Sequence, residues 1–246
     1  MGIGTHLGII SQAGASSFTN TYSFDFDGTD DYVYVPNSTS LNIITAMSVS
    51  MWFKTTSSSV MYGLTQGSGS QIKYYVQFYA PINRIRVEIF DGSGVLVDID
   101  NTQVFNDGQW HNLTFTTDAL TTTNGVKVYF DGNLLSNKGT LNNNGIRTAA
   151  AGLFIGQIPN TGRFNGNIDE VSIFNTELSA SDVTSIYNSG VPNDISNISG
   201  LISWWRMGDS ATWTGREWNP IPDANGNNDG IGFNMAEDAR STDIPS

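Results

Sequence analysis

The chain reads as an all-β protein, an antiparallel two-sheet β-sandwich of jelly-roll type with one short helix, and three observations predict that class. Short runs alternate apolar and polar side chains with the two-residue period of strands, as in Tyr22 to Asp27, where Tyr22, Phe24 and Phe26 share one face and Ser23, Asp25 and Asp27 the other. The runs are separated by Asp27-Gly28, Asp91-Gly92, Asp107-Gly108, Asn124-Gly125, Asp131-Gly132 and Asn144-Gly145, dipeptides that tolerate the positive φ of tight turns. Of 246 residues 39% are hydrophobic and only 14% charged, a balance that suits many strands joined by turns. This length fits one sizeable sandwich.

Residues 1–20 are rich in Gly, Ser, Ala and Thr without a period, and are expected to form an N-terminal arm, mobile or docked on a partner. The sandwich is expected over 21–207. Its strands are predicted at Tyr22 to Asp27, Asp31 to Pro36, Met47 to Thr55, Val60 to Leu64, Ile72 to Tyr79, Arg84 to Phe90, Val95 to Ile99, Trp110 to Thr117, Val126 to Phe130, Leu153 to Gln157 and Ile168 to Phe174. In the last, simple alternation puts Asp169 on the face of Val171 and Ile173, and Ile168, Glu170, Ser172 and Phe174 on the other. Ser179, followed three residues on by Asp182, starts a helix whose Val183, Ile186 and Tyr187 recur at helical spacing and which Asn188 and Gly190 end. A lone helix in such a chain should cover an edge or end of a sheet. Leu201 to Met207, with Trp204 and Trp205, reads as a returning strand. Residues 208–246 have turn-formers throughout and no sustained period, so an irregular C-terminal segment is expected. Trp213, Trp218, Ile221, Ile231 and Phe233 should pack it on the sandwich or a partner.

The net charge of -12 argues against nucleic acid, whose phosphates need a basic stripe. Without cysteine there is no disulfide framework and no thiolate metal site. The two histidines, His6 and His111, are too far apart in sequence to suggest zinc, and His111 shares a face with Leu113 and Phe115, the place of a satisfied core histidine. No run is long enough to insert in a membrane, and the first residues lack the basic start of a signal peptide, so nothing in the chain is expected to direct it out of the cell by itself.

Four segments carry a family resemblance: FDFDGTDDYVYVPNSTSLN at 24–42, MSVSMWFKT at 47–55, DGQWHNLTFTTD followed by GVKVYFDGNLL within 107–135, and FNGNIDEVSIFNTELSASDVTSIYNSG at 164–190. In this order they resemble the laminin G-like modules of the concanavalin A-like lectin/glucanase superfamily, which implies the concanavalin A-like sandwich. The WWRMGD segment at 204–209 and the wording after it resemble structural proteins of tailed phages. Together these imply a lectin-like protein of a virion surface, capsid or tail, which meets other virion proteins or copies of itself and binds cell-surface glycans. A purely architectural component that binds only protein is the alternative, and a glycan-cleaving enzyme a lesser one.

Catalysis is not expected. Glycoside hydrolysis usually needs two facing carboxylates, and glucanases of the resembled superfamily carry them as an E-x-D-x-E run; the five glutamates here are isolated, and neither a G-x-S-x-G elbow nor a phosphate-binding loop occurs.

Two sites are expected instead. Carboxylates gather around the opening hairpin, and the resemblance implies a structural Ca²⁺ tying the first strand to the last. We assign it Asp27, Asp30, Asp31 and Asp169, with carbonyls and water completing about six to eight oxygens. The alternative is that Asp27-Gly28 is no more than a turn whose aspartate bonds local amides. For sugar stacking the choice is Tyr75 and Tyr79, which alternate with Lys73 and Gln77 on a face that looks polar and solvated.

Overall fold

A computed structural model of the protein describes residues 18–91, 101–118, 125–137, 145–159, 161–226 and 228–246. The predicted strand Val95 to Ile99, most of the N-terminal arm, and Gly92, Asn124 and Asn144 of the turn dipeptides lie outside the described residues. The strands are β1 Ser23–Asp27, β2 Tyr32–Val35, β3 Met47–Lys54, β4 Val60–Gln66, β5 Tyr74–Tyr79, β6 Arg84–Ile89, β7 Asn101–Thr102, β8 Trp110–Thr117, β9 Val126–Phe130, β10 Asn133–Asn137, β11 Leu153–Ile155, β12 Asn165–Phe174, β13 Leu201–Trp205, β14 Trp218–Ile221, β15 Gly230–Phe233 and β16 Arg240–Ser241; the one α-helix among them is α1, Ala180–Tyr187.

They form two antiparallel sheets. The first runs β10-β9-β8-β3-β12-β1-β16, with β13 also on β12, and the second β14-β15-β2-β11-β4-β5-β6-β7. Alternate residues of both sheets meet in one core, where Phe24, Phe26, Val49, Met51, Phe53, Leu113 and Phe115 of the first sheet face Val33, Val35, Leu64, Tyr74, Val76, Phe78, Leu153 and Ile155 of the second. At about 1.5–3 kcal/mol for each large apolar side chain taken from water, this packing holds the sheets together.

The strand β12 is central and irregular. Its first half pairs with β1, from Asp27 opposite Asn165 to Phe24 opposite Ile168, and its second half pairs with β13, from Val171 opposite Trp205 to Phe174 opposite Leu201. Between the halves its register against β3 slips, so that Asp169 to Ser172 spans only Trp52 to Ser50, and Glu170 takes a positive φ of 49°. This is a β-bulge, in which one extra residue reverses the alternation beyond it. Ile168, Val171 and Ile173 consequently all enter the main core, and Asp169 points to the other face, correcting the simple alternation.

The helix starts as its spacing predicts, with Ser179 and Asp182 bonding each other's backbone in a capping box, an arrangement in which the cap is worth about 1 kcal/mol. It covers the outer face of the first sheet rather than an edge: Val183 and Ile186 bury against Tyr129, Phe174, Leu178 and Trp204 in a second small core, and Tyr187 stacks on Trp52 with ring centroids 5.7 Å apart. Among the described residues no helix is long and apolar enough to cross a membrane.

The expectation of irregular structure over 208–246 needs correction. β14 and β15 extend the second sheet, with Phe233 opposite Tyr32, and β16 caps the first beside β1. Trp218 and Ile221 are fully buried, so the sandwich continues through this segment. Short two- to four-residue strands set among Gly and Asn carry too few alternations to declare themselves.

Candidate functional site

The opening turn brings three of the predicted metal residues together. One carboxylate oxygen from each of Asp27, Asp30 and Asp31 lies within 4.8 Å of the others. Gly28, at φ 75°, makes the reversal possible. The Asp27 carboxylate accepts from the Thr29 and Asp30 amides at 2.7 and 3.2 Å, and Asp31 accepts from the Asp27 amide at 3.0 Å. Among the described residues no cation pairs with any of the three. Burial, reinforced by the charges of Asp27, Asp30 and Asp25, pushes Asp31 up to about 6. Burial also raises Asp25, helped by Asp243, Asp27 and Asp238, whereas at Asp27 the amides outweigh burial and hold the carboxyl below its ordinary value. A cavity of about 220 Å³ opens here between Asp25, Asp27 and Asp31 on one side and Asn234 and Asp238 on the other. Asp238 escapes a sequence reading because the C-terminal segment has no pattern that places it.

An all-oxygen, anionic donor set without an internal cation fits a hard ion such as Ca²⁺ and disfavours softer metals. Asp27, Asp30 and Asp31 would supply the carboxylates of such a site, with Asp25 beside them and Asp238 facing them across the cavity.

Asp169 is elsewhere. Asp27 pairs with Asn165 at one end of β1 and Phe24 with Ile168 toward the other, so Asp169 lies beyond the far end of that pairing and the structure does not bring it to the turn. The bulge places it, fully buried, beside the buried Glu170. Asn20 donates to its Oδ2 at 2.7 Å and the Glu170 amide to its Oδ1 at 2.8 Å. A cation lies beside this pair. Arg206 follows Trp205, the partner of Val171, and so reaches Glu170 with its Nε at 3.2 Å from Oε1; the Trp204 indole donates to Oε2. Arg206 also donates to the Thr19 carbonyl at 2.5 Å and to Asp209 at 2.9 Å, and its guanidinium lies over Phe18, which stacks on Trp204. Burial and the neighbouring Glu170 hold Asp169 well above the usual carboxylate range. Burial likewise pushes Glu170 up to about 7 despite Arg206 and Trp204.

The aromatic expectation is divided. Tyr74 and Phe78 enter the core while Tyr75, Gln77 and Tyr79 take the outer face of the second sheet, as alternation predicts. Yet Tyr75 is 7% exposed, packed between Tyr62 and Phe90, and burial and the Glu88 side chain push its hydroxyl upward. No face of its ring is left to stack on a sugar. Tyr79, 36% exposed, stands at the end of β5. Lys73 is not solvated: it is completely buried, its Nζ donates to the Leu41 carbonyl at 3.1 Å, and burial lowers the amine to about 7.

The open part of this face lies toward the other edge. Register aligns Ile231, Tyr34, Phe154, Thr65, Tyr75 and Glu88 in one row across six strands. Glu88 and Tyr75 are covered, but Tyr34 and Phe154 are half-buried, with centroids 5.0 Å apart. In the next row Tyr32 stacks on Phe233 at 5.1 Å and 10°. Gln77 donates to the Tyr62 hydroxyl at 2.6 Å, and Arg86 pairs with Glu88. The sequence held a signal for this platform: in Tyr32-Val33-Tyr34-Val35 the valines must take the core, which turns both tyrosines outward.

Comparison with known proteins agrees with this architecture. The family described as Concanavalin A-like lectin/glucanases superfamily matches residues 27–184, more than half of the chain. No curated protein matches by sequence. A crystal structure described as that of a carbohydrate-binding protein from Bacteroides ovatus superposes with TM-score 0.65 at 15% identity, over 93% of this chain and 62% of that one. Domain 4 of AbnA, an extracellular arabinanase from Geobacillus stearothermophilus solved with arabinotriose, gives 0.52 at 22% identity over 67% of this chain and 76% of that one. The binding domain of Paraclostridial Mosquitocidal Protein 1 gives 0.55 at 16% identity over 69% and 43%. At these identities the structures share the fold. The chain belongs to the concanavalin A-like lectin/glucanase superfamily.

Proposed function

We propose that this member of the concanavalin A-like superfamily is a non-catalytic glycan-recognition module of a virion surface, and that the outer face of its second sheet, around Tyr32, Tyr34, Phe154 and Phe233, is the binding surface. The observation that carries the reading is the cluster of half-exposed rings, Tyr32 against Phe233 and Tyr34 against Phe154, held in register by the ladder. Flat rings fixed by a sheet stack on the apolar face of a pyranose with little entropy to lose, and neighbouring polar groups orient its hydroxyls. The descriptions of the Bacteroides and Geobacillus structures as carbohydrate-binding and arabinotriose-bound are consistent with such a role.

The test is a glycan array followed by calorimetry. We expect Phe154→Ala and Tyr34→Ala, with melting checked, to weaken the best sugar by about tenfold or more, since ring removal costs over about 1 kcal/mol at such contacts. An array without a bound glycan, or variants that bind as the wild type does, would sink the reading.

The virion role rests on the phage-like wording of 204–209 and of the segment after it, and on a charge that disfavours nucleic acid. Its partners are other virion proteins or copies of this chain, and its place is the capsid or tail surface. Recovery in purified particles supports it; recovery only as free protein counts against it. A structural Ca²⁺ at the opening turn, on Asp27, Asp30 and Asp31, completes the proposal, and melting with calcium against chelator measures it.

A further inference from the structure

We infer that Arg163 anchors an acidic sugar on this face, the ligand being a pyranoside that carries a carboxylate; the inference rests on the reading of the face as a glycan surface. Arg163 belongs to a short excursion after β11, closed by the Phe164 amide on the Gly156 carbonyl at 2.8 Å and by a bridge between Ile158 and Thr161. Phe164 is buried in the core, so its neighbour turns outward, and the Arg163 guanidinium lies over the Tyr32 ring at 5.5 Å from the centroid. Stacking on a ring fixes the plane of a guanidinium without using any of its donors.

The donors are unspent. Among the described residues Arg163 makes no hydrogen bond or ion pair, and its Nη1 is enclosed without an acceptor. Other guanidinium groups are served internally: Arg206 by Glu170 and Asp209, Arg86 by Glu88. Buried polar groups are nearly always paired, so an unpaired guanidinium calls for an outside acceptor. It stands beside the Tyr32 and Phe233 platform. A sugar acid matches both features: its ring stacks and its carboxylate accepts from the guanidinium. A carboxylate is favoured over a neutral sugar because charge-assisted, forked bonds to arginine are about twice as strong as neutral ones.

The chain's net charge of -12 works against an acidic ligand at long range. Charges beyond about 8 Å are largely screened at physiological ionic strength, so the contact at Arg163 decides. Asp30 and Asp31 precede Tyr32 in the chain and are the opposing groups to quench, so binding is measured with calcium chloride in the buffer.

Calorimetry on the full chain compares trigalacturonate and sialyllactose with a neutral galactotriose. One acid should bind at least about tenfold tighter than the neutral sugar, a difference of about 1.4 kcal/mol; which acid it is separates a uronate from a sialate source. Arg163→Gln, with its melting checked, should lose that preference while neutral binding changes by less than about twofold, and Arg163→Lys should keep part of it because the charge remains without the fork. The wild-type comparison of acid with neutral sugar stands even if both variants unfold. Equal binding of acid and neutral sugars, or an Arg163→Gln protein that keeps the preference, would overturn the role of Arg163 and leave the glycan surface standing. Binding of no sugar at all would overturn the surface itself.

Discussion

Two clusters of carboxylates, three aspartates at the opening turn and Asp169 with Glu170 at the β12 bulge, show how one fold handles crowded negative charge in opposite ways. At the opening turn Asp27, Asp30 and Asp31 converge at the rim of a cavity, held by groups of the turn itself and, among the described residues, without a cation partner. At the β12 bulge Asp169 and Glu170 are buried, but Asn20, Trp204 and Arg206 close around them. The first arrangement is left open to solvent and to an ion, whereas the second is satisfied from within and ties residues 18–20 to the end of β13. A buried carboxylate with partners costs little only while every partner stays, so the bulge is a structural joint and the turn a candidate ligand site.

The largest test of that contrast removes the internal cation. Arg206→Ala should destabilise the protein by about 1–3 kcal/mol, the usual cost of leaving a buried polar group unsatisfied, whereas Asp31→Asn should change stability far less in calcium-free buffer. Chemical denaturation of both variants at neutral pH measures this; an Arg206→Ala protein as stable as wild type would erase the distinction.

Protonation gives a smaller effect of known sign. Burial raises Glu170 from 4.5 to about 7, so the folded state binds its proton more tightly than the unfolded chain does. Its contribution is fully present below about pH 4.5 and is lost as pH rises through about 7. Asp169 acts in the same direction. So does His111, whose pKa is raised against its own burial by bonds to Asp131 at 2.8 Å and Asp107 at 3.2 Å. Melting at pH 5 and pH 7 should therefore fall with pH in the wild type and fall less in Glu170→Gln. Equal slopes for the two proteins would show that the bulge carboxylates do not titrate in this window.

The smallest expected effect is calcium. Each tenfold excess over the dissociation constant should add about 1.4 kcal/mol of apparent stability if only the folded chain binds the ion. Asp31→Asn should abolish the shift and Asp169→Asn should keep it, because Asp169 is not at the turn. Loss of the shift in Asp169→Asn alone would mean that the ion sits at the bulge.

Much of this was legible before the structure. The strand runs, the capping box at Ser179 and Asp182 and the gathering of Asp27, Asp30 and Asp31 all depend on neighbours within a few residues, where periodicity and turn chemistry speak directly. The outward course of Tyr32 and Tyr34 was equally local and was missed for Tyr75, whose face is the same but which other side chains cover.

What tertiary structure alone decided was where distant segments meet. One extra residue at Glu170 reversed the faces of Asp169 and Val171, and the pairing of Val171 with Trp205 delivered Arg206 to a carboxylate 36 positions earlier in the chain. The same holds for Asp238 opposite Asp27 and for Arg163 over Tyr32. Alternation along a strand is a property of the local backbone, set by sterics and readable from side-chain type. Register, bulges and the covering of a face are set by the summed packing of the whole sandwich, which no stretch of sequence contains.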